Sequence, residues 1–445
     1  MKYRFKKLLT ENGWLEDITL TTDESGILKS MDKDLAASDI RGDYALPGFQ
    51  NAHSHAFQYA MAGLAENHST ALNADDFWSW RKRMYNIALS VSPDELQEIA
   101  TILYTMMRRN GYASVAEFHY LHHDTEGKPY ANLAEMGERL MIAAETAGIR
   151  ITLIPMFYQQ GNFGQPAESG QRRFISSDID SYYKLLEATE KAASNYHMVK
   201  TGIGIHSLRA VKPEDIITLS SSLDGQAPFH IHIAEQLREV EDCLSFHGRR
   251  PVQWLLENCN VGPHFHLVHA THLSGEEVTG IAQSGAHVVL CPSTEGNLGD
   301  GLFRFHEFKA AGGKWSIGTD SHIGLDPFEE LRLLDYGQRL ITHRRDTFVT
   351  EDSGDSGFNA IKMSWQAGRA AMGHSNDTSF FEIGKPLDAV VISDESPLLE
   401  KTSVANLSST LIYTANQNNI DQTIINGQIL KASSETTVPA RFRTS

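Results

Sequence analysis

The chain has 445 residues, of which 41% are hydrophobic and 21% charged. That is the composition of a globular protein with a large core, long enough for one extended barrel or for two or three ordinary domains. A formal net charge of −17 argues against nucleic acid or an anionic membrane as partner, and any anionic ligand must be held by local cations against the global field. Cys243, Cys259 and Cys291 are too few and too scattered for a disulfide framework or a thiolate zinc site. No apolar run is long enough for a bilayer span or a secretory leader, so the expected setting is cytoplasmic.

In chain order, residues 1 to about 45 read as short strands and turns (Asp17–Thr21, Ile27–Lys29) with no helical period. From Leu46 the pattern becomes apolar strands alternating with amphipathic helices. The strands expected are Leu46–Asn51, Tyr112–Phe118, Arg150–Phe157, Val199–Ile205, Phe229–Ile233, Phe265–His269, His287–Leu290 and Trp315–Thr319. The clearest helix opens at Ser92, where Glu95 completes a capping box and Pro93 takes the first helical position. Leu96, Ile99, Leu103 and Met106/Met107 give it a core stripe, and Gly111 stops it. Further helix-like segments are Ala131–Ala147, Ile179–Asn195, Pro213–Leu219, Glu235–Phe246, Pro251–Asn258, Ser274–Ser284 and Phe305–Ala311. About eight strands, each followed by helix, predict an α/β fold of the (β/α)₈ TIM-type barrel kind over residues 46–384. Gln159–Gln171 is a long Gly/Gln-rich loop, a type that tends to be functional or mobile, and Asp352–Gly357 looks like an exposed loop.

Past about Gly384, Leu387–Ser393 and Gln422–Leu430 read as strands, the second with an Asn-Gly turn. Residues 1–45 and 385–445 are therefore expected to build one small β-sandwich domain beside the barrel.

Active sites of such barrels sit at the C-terminal ends of the strands. The first strand ends at His53 and His55, whose spacing of two puts both rings on one face. The fifth ends in His230-Ile231-His232-Ile233-Ala234-Glu235, the sixth in His269-Ala270-Thr271-His272, and the eighth in Thr319-Asp320-Ser321-His322. Each spacing alone is weak, but chance would not concentrate ligand and acid–base types on one rim.

PGFQNAHSH, HIHIAE, HATH and GTDSH resemble the zinc-dependent deaminases of the amidohydrolase superfamily. Longer stretches (HSHAFQYAMAGLAE, FWSWRKRMY, VAEFHYLHH, GIHSLRAV, STEGNLGDGLF and TDSHIGLDPFEELRLLDYGQRL) narrow the resemblance to its formimidoylglutamate deiminases. The likeness runs from Pro47 to about Arg369. It implies one divalent ion per chain, Zn²⁺ or else iron or another divalent metal, held by His53, His55, His232 and Asp320. Gly204-Ile205-His206-Ser207 at the fourth strand end lacks the Lys that bridges two metals in some relatives, which favours a single ion. The resemblance also gives Asp320 a proton-accepting role, Glu235 a proton-shuttling one, and His269 the task of orienting or polarising water or substrate.

The implied reaction is hydrolysis of N-formimino-L-glutamate to N-formyl-L-glutamate and ammonia in histidine degradation. Gln58, Arg81, Tyr120, His206 and Arg209 are the residues expected to grip this small, doubly anionic, amino-acid-derived substrate. The partners expected are that substrate and a second copy of the chain in a homodimer. A deaminase of a purine, pterin or related ring is the alternative; it would want aromatic stackers and amide readers in place of two arginines. A catalytically silent binding barrel is the third reading, and the intact ligand set beside Glu235 argues against it.

Overall fold

The computed structural model describes residues 1–33, 38–66, 77–222, 227–374, 377–429 and 442. Strands β1 (Lys2–Thr10), β2 (Gly13–Thr22), β3 (Leu28–Asp32) and β4 (Ile40–Pro47) open the chain. One residue later begins the barrel: β5 (Phe49–Ser54), β6 (Tyr112–His119), β7 (Arg150–Phe157), β8 (Val199–Thr201), β9 (Ile203–Ile205), β10 (Phe229–Ile233), β11 (Phe265–His269), β12 (His287–Leu290) and β13 (Lys314–Ile317). They pair in parallel in the order β13-β12-β11-β10-β9-β7-β6-β5, with β8 on β7. The expected strand Val199–Ile205 is this β8/β9 pair, interrupted at Gly202, where a Cβ would come within 3.0 Å of Ile154 and of the Pro228 carbonyl. Residues of β5, β6, β10, β11 and β12 are buried throughout, as a parallel sheet covered on both faces requires.

The barrel closes between β13 and β5 through a short seam. Thr319 and Asp320 both donate their backbone N–H to the His53 carbonyl, at 3.1 and 3.0 Å, and the His55 N–H reaches the Asp320 carbonyl at 3.3 Å. Gly318 permits this approach, because a Cβ there would lie 2.7 Å from the His53 Cβ. Asn51 locks the seam from below, accepting from the Thr319 N–H at 3.0 Å and donating to Thr319 Oγ1 at 2.7 Å.

Helices fill the outer layer. The capping box at Ser92 opens the helix Pro93–Arg109 as expected. Helices Pro327–Thr342 and Ser356–Ala371 lie beyond the helix-like segments the sequence pattern predicts. The supposed loop Asp352–Gly357 supplies the cap of the second, Asp355 accepting from the N–H groups of Gly357 and Phe358 at 3.1 Å each. That helix packs over the seam, with Gly368 against the Gln50 side chain.

Both chain ends join one further sheet, in the order β16-β15-β14-β4-β1-β2-β3, where β14 is Ala389–Ile392, β15 Ile420–Ile425 and β16 Gln428–Ile429. Asn426 and Gly427 join β15 to β16 with φ of 52° and 67°, the hairpin turn that Asn-Gly predicts. Leu430, the end of the strand expected there, and most of the residues after it lie outside the described residues. Among the described strands the small domain is one sheet, not two facing ones. Its second layer comes from the barrel, where Gly111 meets Val390, and from helical segments, where Trp14 Nε1 donates to Ser408 Oγ at 2.9 Å and the Tyr44 hydroxyl to the Leu399 carbonyl at 3.1 Å.

Arg150 at the start of β7 ties barrel to sheet with two parallel bonds to Asp388, at 2.8 and 3.0 Å. Burial alone would raise the Asp388 carboxyl, but Arg150 and the Asn426 N–H hold it below the usual range. Arg150→Met should therefore destabilise the fold by about 3 kcal/mol, since it strands a largely buried carboxylate. Because the folded pKa is depressed, this contribution is complete at neutral pH and is lost as pH falls below about 4. Thermal melts of Arg150→Met, Asp388→Asn and the double variant check it; purely additive losses would mean the two side chains are not coupled.

Candidate active site

Strand ends deliver the side chains. His53 and His55 leave β5, and His232 leaves β10 on the same inner face as His230. Asp320 follows β13 directly after the seam. The three Nε2 atoms form a triangle with sides of 3.1 Å (His53–His55), 3.3 Å (His55–His232) and 3.0 Å (His232–His53). Asp320 Oδ1 caps it, 3.4 Å from His53 Nε2 and 3.3 Å from His55 Nε2.

The protonation state of these rings decides what the triangle can hold. His55 Nδ1 donates to the Phe118 carbonyl at 2.8 Å and His232 Nδ1 to the His206 carbonyl at 3.0 Å, which leaves lone pairs on both Nε2 atoms. Burial lowers His53 to about 3 and keeps His55 and His232 below their ordinary value, so all three are neutral near pH 7. Lone pairs crowded this closely repel one another unless a cation sits between them. A tetrahedron with such edges has its corners about 2.0 Å from its centre, the zinc-to-imidazole distance. The donor set fits a divalent metal ion.

Asp320 is shared between two tasks. Burial would raise its carboxyl, yet His53, His55 and His269 hold it well below the usual range, so it is ionised. Its Oδ1 faces the imidazole triangle, while Oδ2 lies 3.7 Å from His269 Nε2. Glu235 Oε1 approaches the same Nε2 at 3.8 Å, and burial pushes the Glu235 carboxyl up to about 7. Burial works against a charged His269, but Glu235, Glu295 and Asp320 outweigh it and raise the ring to about 10. Backbone strain gathers here: Ala234, His269, Ala270, Asp320 and His322 have φ of 52°, 67°, 49°, 43° and 64°, in the left-handed region that costs a non-glycine residue about 1–3 kcal/mol.

All five residues expected to grip substrate line one pocket with His55, His232, Glu235, His269 and Asp320. Gln58 Nε2 donates to the Tyr120 hydroxyl at 2.9 Å, and its Oε1 has no hydrogen-bond partner among the described residues. His206 packs edge-on to Tyr120 and Tyr158. Arg209 is 5% exposed, and Arg81 lies 3.6 Å from Glu168 and over the Tyr85 ring.

Residues outside that expectation complete the wall. Tyr85 and Tyr158 are bonded by Gln171 Nε2 at 3.1 and 2.8 Å, so the far end of the Gln159–Gln171 loop is anchored in the pocket wall. Phe174 and Trp80 line it too. Reading the end of β7 as the other strand ends were read would have found Tyr158. The same reading at β12 would have reached Glu295, which meets His269 Nδ1 at 3.2 Å. His230, two residues before the ligand His232, lies outside the cage and donates to the Ala371 carbonyl at 3.1 Å at the barrel base.

The Amidohydrolase family model matches residues 44–430. The chain is 40% identical over 430 residues to the formimidoylglutamate deiminase of Pseudomonas aeruginosa, covering 95% of this chain and 93% of that one. It is 25% identical to the 5-methylthioadenosine/S-adenosylhomocysteine deaminase of Thermodesulfovibrio yellowstonii, over 94% of this chain and 87% of that one. A crystal structure of an amidohydrolase from Brucella melitensis superposes with a TM-score of 0.89 at 38% identity, covering 96% of this chain and 94% of that one. With its barrel, its seam and its imidazole–carboxylate cage, the chain belongs to the amidohydrolase family.

Proposed function

We propose that this protein hydrolyses N-formimino-L-glutamate to N-formyl-L-glutamate and ammonia in histidine degradation, with one zinc ion per chain. The observation that carries the reading is a single pocket holding two arginines, the imidazole–carboxylate cage and the Glu235–His269–Asp320 group. The identity to the Pseudomonas aeruginosa deiminase supports the same substrate. That substrate is a linear amidine on a dicarboxylate, so it needs cations at one end and carboxylates at the other. Arg81 and Arg209 supply the first, with Gln58, Tyr120 and His206 as further donors or acceptors. Glu235 and Asp320 supply the second, for an amidine that is cationic at neutral pH.

Three imidazoles and a carboxylate suit zinc, which when bound lowers the pKa of water at the site towards neutrality and withdraws charge from the carbon under attack. Asp320 accepts a proton from the attacking water on Oδ2, the oxygen turned away from the imidazole triangle. The water oxygen bonds to the amidine carbon, which becomes tetrahedral. Glu235, its carboxyl lifted towards neutrality by burial, carries a proton to the departing nitrogen. A C=O bond forms as the new hydroxyl gives up its proton to the Glu235 carboxylate, which expels ammonia, and His269 Nε2, facing both carboxylates, holds the water and the carbon in line. The aromatic wall of Tyr85, Tyr158 and Phe174 is what a ring deaminase would use, and it is the one observation that favours the second reading. A ring has no use for a buried Arg209.

Ammonia release from N-formimino-L-glutamate by the zinc-loaded protein is the direct test. Turnover of a purine or pterin with none of the formimino substrate would replace this reading with the ring deaminase. Asp320→Asn should cut the rate at least a hundredfold, about the size of a lost general base, with circular dichroism unchanged. Glu235→Gln should keep its cation and lose roughly 10²–10⁴ in kcat; loss of the cation would instead make Glu235 a ligand. Arg209→Met should lower kcat/KM about a hundredfold on N-formimino-L-glutamate and leave a carboxylate-free formamidine nearly unaffected. Equal losses on both substrates would remove Arg209 as the carboxylate anchor.

A further inference from the structure

His269 stands between the two carboxylates of the reacting group, yet its own orientation is set from behind. Glu295, in the helix Pro292–Leu298 that follows β12, presents Oε1 to His269 Nδ1 at 3.2 Å. The same oxygen accepts the Cys291 N–H at 2.8 Å, which fixes it against the end of β12. Glu295 is 7% exposed and His269 1%, so solvent does not compete for either contact. A carboxylate oxygen only accepts, so the proton of this contact belongs on Nδ1. Nε2 is thereby turned to Asp320 Oδ2 at 3.7 Å and Glu235 Oε1 at 3.8 Å. Both gaps are too long for direct hydrogen bonds and leave Nε2 facing the reacting atoms.

We infer that Glu295 is a positioning residue for the deamination: through its Oε1 it holds the Nδ1–H of His269 and so fixes the ring with Nε2 addressing the water and the amidine carbon. The inference rests on the proposed function above and on His269 taking part in it. A carboxylate behind a catalytic imidazole holds its tautomer and orientation in many hydrolases, and groups that orient ligands and bases from behind are worth about 10- to 100-fold. The plain alternative is that Glu295 only secures the turn at Cys291, in which case its removal would affect stability and leave His269 untouched.

The two roles separate experimentally. Glu295→Gln keeps an acceptor where the Cys291 N–H holds it, whereas Glu295→Met fills the same space with none. Wild-type zinc-loaded protein is assayed first, so that failure to release ammonia counts against the proposed function and not against this inference. With wild type active, Glu295→Met should lose about 10- to 100-fold in kcat with KM within about twofold and the metal content of wild type. Glu295→Gln should recover most of that loss. In a His269→Asn background, Glu295→Met should cost nothing further in kcat, because the residue it acts through is gone. A wild-type kcat in Glu295→Met, a Glu295→Gln variant as impaired as Glu295→Met, or a full additional loss on top of His269→Asn would each overturn the assignment. If Glu295→Met does not fold, Glu295→Asp stands in for it: it keeps the charge but withdraws the oxygen by about one bond length. It must show the same loss of kcat, and full activity would overturn the assignment.

Discussion

Everything at the mouth of this barrel depends on one backbone contact, the double donation of Thr319 and Asp320 to the His53 carbonyl. Eight parallel strands close only if the last finds the first. Here the described pairing between them is confined to the few residues that carry the cation ligands. Gly318 is what lets the two backbones meet, since any side chain there would collide with His53. Closure of the fold and assembly of the imidazole–carboxylate cage are therefore a single event. A chain that failed to close its seam would hold His53 and His55 on one edge and Asp320 on the other, with no cage between them.

Around that seam the molecule concentrates features that destabilise a fold and serve a reaction. Three neutral imidazoles turn their lone pairs on one another at 3.0–3.3 Å. Glu235 is buried with its carboxyl raised to about 7, and Asp300 beside it is raised by burial to about 9. Left-handed backbone at His269, Ala270 and Asp320 adds strain. Such costs are borne by the rest of the structure: the capped outer helices, the continuous apolar core and the Arg150–Asp388 tie to the terminal sheet. A divalent cation removes the largest of them, the crowding of the lone pairs.

The periodicity of apolar residues was enough to name the barrel and to place most of its strands, and the chemistry at strand ends brought out His53, His55, His232, Glu235, His269 and Asp320; the roles given to these and to Gln58, Arg81, Tyr120, His206 and Arg209 came from the family resemblance. These signals are local. Strand burial on both faces writes an uninterrupted apolar run, and His-x-His on a strand writes its own geometry. The capping box at Ser92 and the Asn-Gly hairpin at 426–427 were likewise readable, because each is a rule about neighbours in sequence.

What the sequence could not settle was decided by contacts between residues far apart in the chain. The helix Ser356–Ala371 begins where the composition suggested an exposed loop, because Asp355 caps it and the seam needs a cover. The terminal β-domain is one sheet because its other layer comes from the barrel and from helical segments that no strand pattern announces. Glu295 lies past the end of β12, within reach of a reading of that strand end, but its contact with His269 at 3.2 Å appears only once β11 and β12 lie side by side. The sequence alone determined which side chains can bind a cation or move a proton. The tertiary structure decided which of them face one another, since distances below 4 Å between residues separated by tens or hundreds of positions exist only after the barrel has closed.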